Sequence, residues 1–194
     1  MSTIVLDATE IEQAITDMAS KLIANQQDAP WAVIGIKRGG EALAHRLAAH
    51  IEKLSGQIPP IGMVDITLYR DDGFGPHDWP VVGSSQIPFK IPQYTVILAD
   101  DVLYTGRTVR AAFDAILDYG RPKAIRLAVL IDRGLRELPI AADVVGKIAA
   151  TAADDHVDVT LGKVSNLTDI AIITKREGIT RQSGSSRYIS GSQK

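Results

Sequence analysis

One stretch, TVILADDVLYTGRTVRAA at residues 95–112, constrains the fold more than any other part of the chain. Its apolar, β-branched beginning is typical of a buried strand, and its end has the spacing of an amphipathic helix. The strand ends in two adjacent acids, Asp100 and Asp101, and a short polar turn leads into the helix. This order predicts one unit of an α/β fold, in which ligands bind at the carboxyl ends of parallel strands.

The same alternation of strand and helix recurs along the chain. An apolar stretch precedes Asp7 and Thr9, either of which can cap a first helix, and Thr9 and Glu12 have the spacing of a capping box. We therefore predict a central, mainly parallel sheet that is flanked by helices. Strands are predicted at residues 31–36, 61–70, 94–99, 124–131, 156–161 and 168–174, and helices follow residues 40 and 107.

Two segments lack any regular period. Residues 71–92 carry Gly, Pro, Ser and Asp, and a loop of that length in a compact domain is either functional or disordered. Residues 175–194 are rich in Ser and Gly and hold five basic residues against one acid, so we predict a flexible basic tail. No internal repeat is visible, and we expect a single domain over residues 1–174.

Composition excludes several classes of function. The chain has 194 residues and a net charge of -2. It has no cysteine, and this excludes a disulfide framework, thiolate catalysis and Cys-ligated zinc. The charge argues against a wholly basic nucleic-acid binder but leaves room for a local basic patch. No secretory signal is visible, and no apolar run reaches the roughly 18 residues that span a membrane. We expect a cytoplasmic protein without a membrane segment.

The turn at residues 104–108 has the composition of a phosphate site. It leads into a helix N-terminus, where free N–H groups and the helix dipole favour an anion. Gly106 lets the backbone approach closely, and the hydroxyls of Thr105 and Thr108 add donors. The neighbouring carboxylates can accept hydrogen bonds from ribose hydroxyls or help to hold Mg²⁺. Together these features predict a phosphorylated ribose as ligand.

Competing interpretations of the same residues are weaker. Two adjacent acids can simply cap the next helix, and the turn can be an ordinary connection between a strand and a helix. No G-x-G-x-x-G follows a strand, which argues against dinucleotide binding, and no G-x-x-x-x-G-K-[ST] is present, which argues against a P-loop.

The segment VILADDVLYTGRT, residues 96–108, resembles the phosphoribosyl-pyrophosphate (PRPP) motif of type I phosphoribosyltransferases. DITLYRDD, LAVLIDRGLRELPI and ADVVGK follow the order of that family and extend the resemblance over roughly residues 4–174. They are most similar to a branch whose members are uracil phosphoribosyltransferases that also regulate pyrimidine-biosynthesis genes. The resemblance implies the type I phosphoribosyltransferase fold, a mobile flap at about residues 71–92, and Mg²⁺ as cofactor.

The resemblance also implies roles for individual residues. Asp100 and Asp101 would hold the ribose hydroxyls of PRPP, and Mg²⁺ mainly through PRPP. Arg38 and Gly39, in GIKRGG, would face the leaving pyrophosphate. The segment from Tyr104 to Thr108 would wrap the 5′-phosphate, and Val102 and Leu103 before it are also assigned to substrate binding. The PRPP loop is hereafter Val102, Leu103, Tyr104, Thr105, Gly106, Arg107 and Thr108.

Further residues are assigned to the pyrophosphate and the base. Arg70 or Asp72, at the hinge of the flap, would reach the pyrophosphate. Arg133, in IDRG, corresponds to an arginine that contacts the substrate. Val157, in HVDV, lies where relatives close the base pocket. Taken alone, Arg133 could equally be a surface arginine and Val157 a core valine. Purine-type relatives carry an acid at the position of Tyr104, so a non-acidic residue there favours a pyrimidine base.

The implied reaction converts uracil and PRPP to UMP and pyrophosphate. Expected partners are PRPP, uracil, UMP or UTP, the leader mRNA of pyrimidine-biosynthesis genes and a second copy of the chain, but no DNA. Three alternatives stay open: a salvage enzyme without RNA binding, a nucleotide-sensing RNA-binding regulator with little turnover, and a degenerate relative. Asp154 and Asp155 replace a stretch that is often basic in relatives, which weakens the RNA interpretation. Candidate RNA contacts are Arg46, Lys53, Lys123, Arg126, Arg136, Lys147 and the basic tail.

Overall fold

A computed structural model describes residues 2–25, 30–71 and 83–175 of the protein. Its helices are α1 (Ala8–Ala24), α2 (Gly40–Ser55) and α3 (Arg107–Leu117). Its strands are β1 (Ser2–Leu6), β2 (Trp31–Ile36), β3 (Ile61–Val64), β4 (Thr95–Leu103), β5 (Ala124–Asp132), β6 (Val144–Ile148), β7 (His156–Thr160) and β8 (Ile170–Thr174). Within the described ranges, no helix is both long enough and apolar enough to cross a membrane.

The central sheet has five parallel strands in the order β3-β2-β4-β5-β6. Alternate residues of its buried strands point to opposite faces. Val33 and Ile97 pack with α1 and α2, while Ile34 and Leu98 pack with α3 on the other face. A layer of helix on each side of a parallel sheet is the predicted arrangement.

The order of the strands reverses between β2 and β4. The chain passes from β2 to β3 on one side and then returns to β4 on the other side of β2. Pairing between β2 and β4 ends at Gly35 and Ala99, so Asp100 and Asp101 lie beyond the part of β4 that pairs with β2, while β4 still pairs with β5. The crevice between the ends of two such strands is where open α/β sheets bind ligands.

A second, smaller sheet is antiparallel, with the order β1-β8-β7. We predicted the strands β7 and β8, but the sequence did not indicate that they pair with β1 in a separate sheet. The apolar face of this sheet packs into the core that α1 and α2 cover, through Leu6, Val157 and Ala171. The small sheet therefore flanks the central sheet on the α1–α2 side.

Of the two predicted caps of α1, the structure uses Asp7, whose Oδ1 accepts from the N–H of Glu10 at 2.9 Å while Glu10 reaches back to the N–H of Asp7 at 3.0 Å. The capping box predicted at Thr9 and Glu12 was wrong, and so were two strand boundaries. The strand predicted at residues 61–70 ends at Val64, since the Asp65 side chain accepts from the N–H of Thr67 and starts a turn. The edge strand β6 was not predicted at all.

The predicted flap is described only at its ends. Residues 72–82 lie outside the described residues, as do residues 176–194 of the predicted tail. After the gap, Gln86 exchanges two backbone hydrogen bonds of 2.7 Å with Met63, and Ile91 is fully buried. The Nζ of Lys37 donates to the carbonyl of Ser84 at 2.7 Å. The second end of the loop is thus fixed beside the central crevice.

Candidate active site

Two adjacent carboxylates lie at the centre of the crevice. Asp100 is only 5% exposed, and Asp101 is partly buried. The N–H of Asp101 donates to Asp100 Oδ1 at 3.1 Å, and the N–H of Val102 donates to Asp101 Oδ1 at 2.8 Å. Each carboxylate is thus held by the backbone N–H of the residue that follows it.

Burial is the main influence on how the two acids titrate. It raises the pKa of Asp100 well above its ordinary value, and the negative charge of Asp101 raises that pKa further. Burial also raises the pKa of Asp101. None of the ion pairs found among the described residues includes either acid. The pair is therefore suited to a ligand that brings its own donors or positive charge.

A glycine turn between β2 and α2 packs directly against this pair. A Cβ atom on Gly39 would lie less than 3.0 Å from the carboxylate of Asp101, and one on Gly40 would lie less than 3.0 Å from the carbonyl of Ala99. Only glycine allows so close an approach of backbone to strand. The turn also contains a cis peptide bond between Lys37 and Arg38. The turn that contains Arg38 and Gly39 therefore lies beside Asp101. A contact of Arg38 and Gly39 with pyrophosphate stays a prediction.

The PRPP loop forms the other wall of the crevice. Gly106 has a φ of 92°, a conformation that favours glycine, and α3 starts after it without a side-chain cap. As at any helix start, the first N–H groups of α3 have no partner within the helix; that of Arg107 donates to Thr105 Oγ1 at 3.3 Å. A pocket of about 300 Å³ is lined by Arg70 and residues 102–109. All predicted residues of this loop, with the predicted hinge residue Arg70, thus line one pocket.

Side chains outside the motif hold the PRPP loop in place. Arg136 donates to the carbonyl of Tyr104 at 2.7 Å and to Asp132 Oδ2 at 2.5 Å. The carbonyl of Thr105 accepts from the N–H groups of Glu137 and Leu138 at 3.0 and 3.1 Å. Sequence reasoning missed these supports, because no local spacing links residues 132–138 to the motif.

Arg107 points along the rim of the pocket. Its Nε donates to Glu137 at 2.6 Å and its Nη1 to Asp71 at 2.8 Å. The hydrogen bond to Glu137 and the charge of Asp71 raise the pKa of Arg107. Two carboxylates thus share its positive charge, so an anion in the pocket meets mainly the N–H groups of the loop and of α3.

Arg133 and Val157 occupy more enclosed positions than the sequence indicated. Arg133 is 5% exposed, and its guanidinium lies over the ring of Tyr104, 4.0 Å from the ring centre. It is therefore not a surface arginine. Val157 is buried in β7 among core residues and does not line the 300 Å³ pocket. A contact of Val157 with the base stays a prediction.

Two of the candidate RNA contacts are structural instead. Arg46 is 3% exposed and forms ion pairs with Asp169, at 2.5 Å, and with Glu12. Arg136 is used inside the molecule to hold the PRPP loop. Both assignments to RNA were therefore wrong. Arg126 is half-exposed and pairs with Asp143 at 3.1 Å. Lys53, Lys123 and Lys147 are exposed.

Comparison with known proteins agrees with this geometry. Residues 1–161 match the family model described as the phosphoribosyl transferase domain. This chain belongs to the phosphoribosyltransferase family. It is 47% identical over 174 residues to a protein named bifunctional protein PyrR from Pelotomaculum thermopropionicum, a match that covers 89% of this chain and 96% of the relative. A PyrR from Deinococcus radiodurans is 49% identical over 167 residues, covering 86% and 91%.

Solved structures of other phosphoribosyltransferases have the same fold. A hypoxanthine-guanine phosphoribosyltransferase from Bacillus anthracis superposes with a TM-score of 0.64 at 18% identity, covering 88% of this chain and 97% of that one. A hypoxanthine phosphoribosyltransferase from Trypanosoma cruzi gives 0.63 at 16% identity, covering 90% and 97%. The predicted type I phosphoribosyltransferase fold is confirmed.

Proposed function

We propose that this protein transfers the phosphoribosyl group of PRPP to uracil, giving UMP and pyrophosphate, and that it also regulates pyrimidine-biosynthesis genes. One observation carries the enzymatic part. The buried pair Asp100 and Asp101 lies at the strand-order switch, between the glycine turn after β2 and the PRPP loop. The relatives' name, bifunctional protein PyrR, supports both parts.

The two acids bind the ribose of PRPP in this proposal. Their oxygens accept hydrogen bonds from the two ribose hydroxyls, and their negative charge favours the positive charge that develops at C1 as the bond to pyrophosphate breaks. Since both pKa values are raised, an empty site resists full ionisation, and donors from the substrate favour the ionised form.

Phosphate groups are bound on both sides of the ribose. The 5′-phosphate occupies the pocket under the PRPP loop and accepts from the N–H groups at the start of α3. The pyrophosphate faces Arg38 and the backbone of Gly39, with Arg70 on the opposite side. Holding both ends of PRPP aligns C1 with the base, and such positioning supplies much of the catalysis.

Mg²⁺ is the proposed cofactor, and the donors present fit it in part. Asp100 and Asp101 supply the oxygen ligands that Mg²⁺ prefers. Among the described residues, no group of three or more His, Cys, Asp or Glu side chains is placed to hold a metal ion. Mg²⁺ would therefore be held mainly through oxygens of PRPP, and it would neutralise the charge of the departing pyrophosphate.

Uracil is the proposed base because Tyr104 is not an acid. A purine would bring N7 to this region, where an acidic side chain can interact with it, while uracil has no such atom. Steady-state assays with PRPP, Mg²⁺ and equal concentrations of uracil, hypoxanthine or guanine test the assignment. We expect UMP as the main product. Faster formation of a purine nucleotide would show that the base is assigned wrongly.

Regulation is proposed to act through binding of leader mRNA, controlled by UMP or UTP. Exposed Lys53, Lys123 and Lys147 are the candidate phosphate contacts that the structure leaves accessible. Binding of a leader hairpin from a pyrimidine-biosynthesis operon should strengthen with UMP and weaken steeply with salt. Absence of binding, with UMP formation intact, would favour the salvage enzyme instead. Binding without turnover would favour the nucleotide sensor.

The location and the oligomeric state of the protein are also proposals. We infer a cytoplasmic protein that forms homodimers or higher homo-oligomers. Light scattering on the purified chain tests the oligomeric state directly.

A further inference from the structure

Arg133 connects the end of β5 to the end of β4. It follows directly after β5, and its backbone N–H donates to the carbonyl of Leu103 at 3.1 Å. That carbonyl immediately precedes Tyr104. Arg133 therefore starts from a fixed position beside the PRPP loop.

The side chain of Arg133 reaches a third segment. Its Nε donates to Thr151 Oγ1 at 2.9 Å, and its Nη2 donates to the carbonyls of Ala152 and Asp155 at 3.0 and 2.8 Å. Residues 151–155 lead directly into β7, which carries Val157. We call residues 151–155 the β7 approach. The guanidinium thus fixes the start of the strand that lies on the proposed base side.

The flat face of the same guanidinium lies on Tyr104, 4.0 Å from the ring centre. None of the ion pairs among the described residues includes Arg133. A buried guanidinium can be held by neutral carbonyls and an aromatic ring because it is planar and weakly hydrated. Lysine has a single, strongly hydrated charge and cannot bind the same partners in the same directions.

We infer that Arg133 is a positioning residue that couples the PRPP loop to the β7 approach. When PRPP binds and orders the PRPP loop, Tyr104 is held in one position. Arg133, which stacks on Tyr104 and donates to the β7 approach, then holds the β7 approach in place, and with it the proposed uracil side of the pocket. This inference rests on the proposed function. It differs from the role predicted from the sequence, which is a direct contact with substrate. Nε and Nη2 of Arg133 have acceptors within the protein, and among the described residues only Nη1 has none and would be left for such a contact.

The test compares Arg133→Lys with Arg121→Lys, a matched change at an exposed arginine before the other end of β5. PRPP affinity is measured by calorimetry without uracil, and the KM values for uracil and PRPP are measured with Mg²⁺. We expect Arg133→Lys to raise the KM for uracil about tenfold, with PRPP affinity within about twofold of the natural protein, as a lost coupling between sites predicts.

Other outcomes overturn the inference. A large loss of PRPP or pyrophosphate affinity with an unchanged KM for uracil would show a direct contact. A parallel loss of both affinities and of thermal stability would show a purely structural role, and identical behaviour of the two lysine variants would show no role. Absence of UMP formation by the natural protein would instead reject the proposed function itself.

A second pair of variants decides the matter if Arg133→Lys does not fold. Tyr104→Leu removes the ring face under the guanidinium, while Tyr104→Phe keeps it. We expect the KM for uracil to rise more in Tyr104→Leu than in Tyr104→Phe. Equal effects in the two variants would overturn the coupling.

Discussion

The backbone of Gly39 touches the carboxylate of Asp101 so closely that any side chain at residue 39 would overlap it. This contact joins the turn after β2 to the end of β4 across the point where the strand order reverses. It places the proposed pyrophosphate site and the proposed ribose site side by side.

The first prediction separates two neighbouring glycines. Gly39→Ala pushes on the Asp101 side chain, so we expect kcat/KM to fall about tenfold or more through misplaced substrate groups, with a smaller effect on stability. Gly40→Ala pushes on the backbone carbonyl of Ala99, which cannot rotate away, so we expect a loss of about 2 kcal/mol in the free energy of unfolding. Denaturant unfolding and steady-state kinetics measure both.

Gly56→Ala is the control for these changes. Gly56 has a φ of 72° at the end of α2, and a Cβ there meets no atom within 4 Å. We expect a loss of about 1 kcal/mol from backbone strain alone and unchanged kcat/KM. If Gly39→Ala behaves like Gly56→Ala, the close packing of the turn against Asp101 is not needed for catalysis.

The second prediction concerns pH and the buried acid Asp100. Its pKa is raised in the folded state, so the folded protein loses stability as pH rises from the ordinary value of 3.8 through the raised pKa. Above that range Asp100 is ionised in the folded and the unfolded protein, and the full cost of burying its charge lowers the stability. We expect Asp100→Asn to raise the melting temperature at neutral pH by about 3 °C or more, and the gain to disappear as the pH falls toward 4.

Asp154→Asn is the matched control, because Asp154 is exposed. Melting curves at several pH values should show no comparable gain for this variant. A melting temperature of Asp100→Asn at or below that of the natural protein at pH 7 would contradict the view that the site stores unfavourable charge.

Local signals in the sequence indicated the candidate site but not all of the contacts that support it. The run of β4, the two acids and Gly106 are contiguous, so their edge position and their turn follow from local pattern. The contacts of Arg136 with Tyr104 and of Arg133 with the β7 approach join segments that are distant in sequence. The pairing of β4 with β5 brings the first two segments together, and the pairing of β5 with β6 brings the second two together. No spacing rule could indicate either contact.

The same limit explains the errors in the fold. Asp7 and Thr9 both stand at capping-box spacing from a glutamate; the structure forms the box with Glu10, while Glu12 pairs with Arg46, which is distant in sequence. The short strand β6 contains Gly146 and Lys147, which dilute its apolar pattern. The separate sheet of β1, β7 and β8 depends on pairing between the two ends of the chain.

The third prediction tests the buried ion pair of Arg46 and Asp169. The side chain of Asp169 is completely buried and also accepts from the N–H groups of Gly162 and Asn166. Arg46→Met leaves this carboxylate without its cation, so we expect the free energy of unfolding to fall by about 3 kcal/mol or more. Chemical denaturation measures the change.

Two comparisons make this prediction specific. Arg126→Met breaks the half-exposed pair with Asp143, which should cost less than about 1 kcal/mol. Adding Asp169→Asn to Arg46→Met removes the stranded charge and should recover part of the loss. Equal, small effects of Arg46→Met and Arg126→Met would show that the buried ion pair does not stabilise the contact of α2 with the segment between β7 and β8, which carries Asp169.

The most direct test of the proposed function is the formation of UMP from labelled uracil and PRPP with Mg²⁺, compared between the natural sequence and the double variant Asp100→Asn/Asp101→Asn. We expect turnover by the natural protein and a loss of about 100-fold or more in the double variant, since charge stabilisation at the ribose is removed while the fold is kept. Undiminished turnover by the double variant, or no turnover by the natural protein, would contradict the assignment of this site to phosphoribosyl transfer.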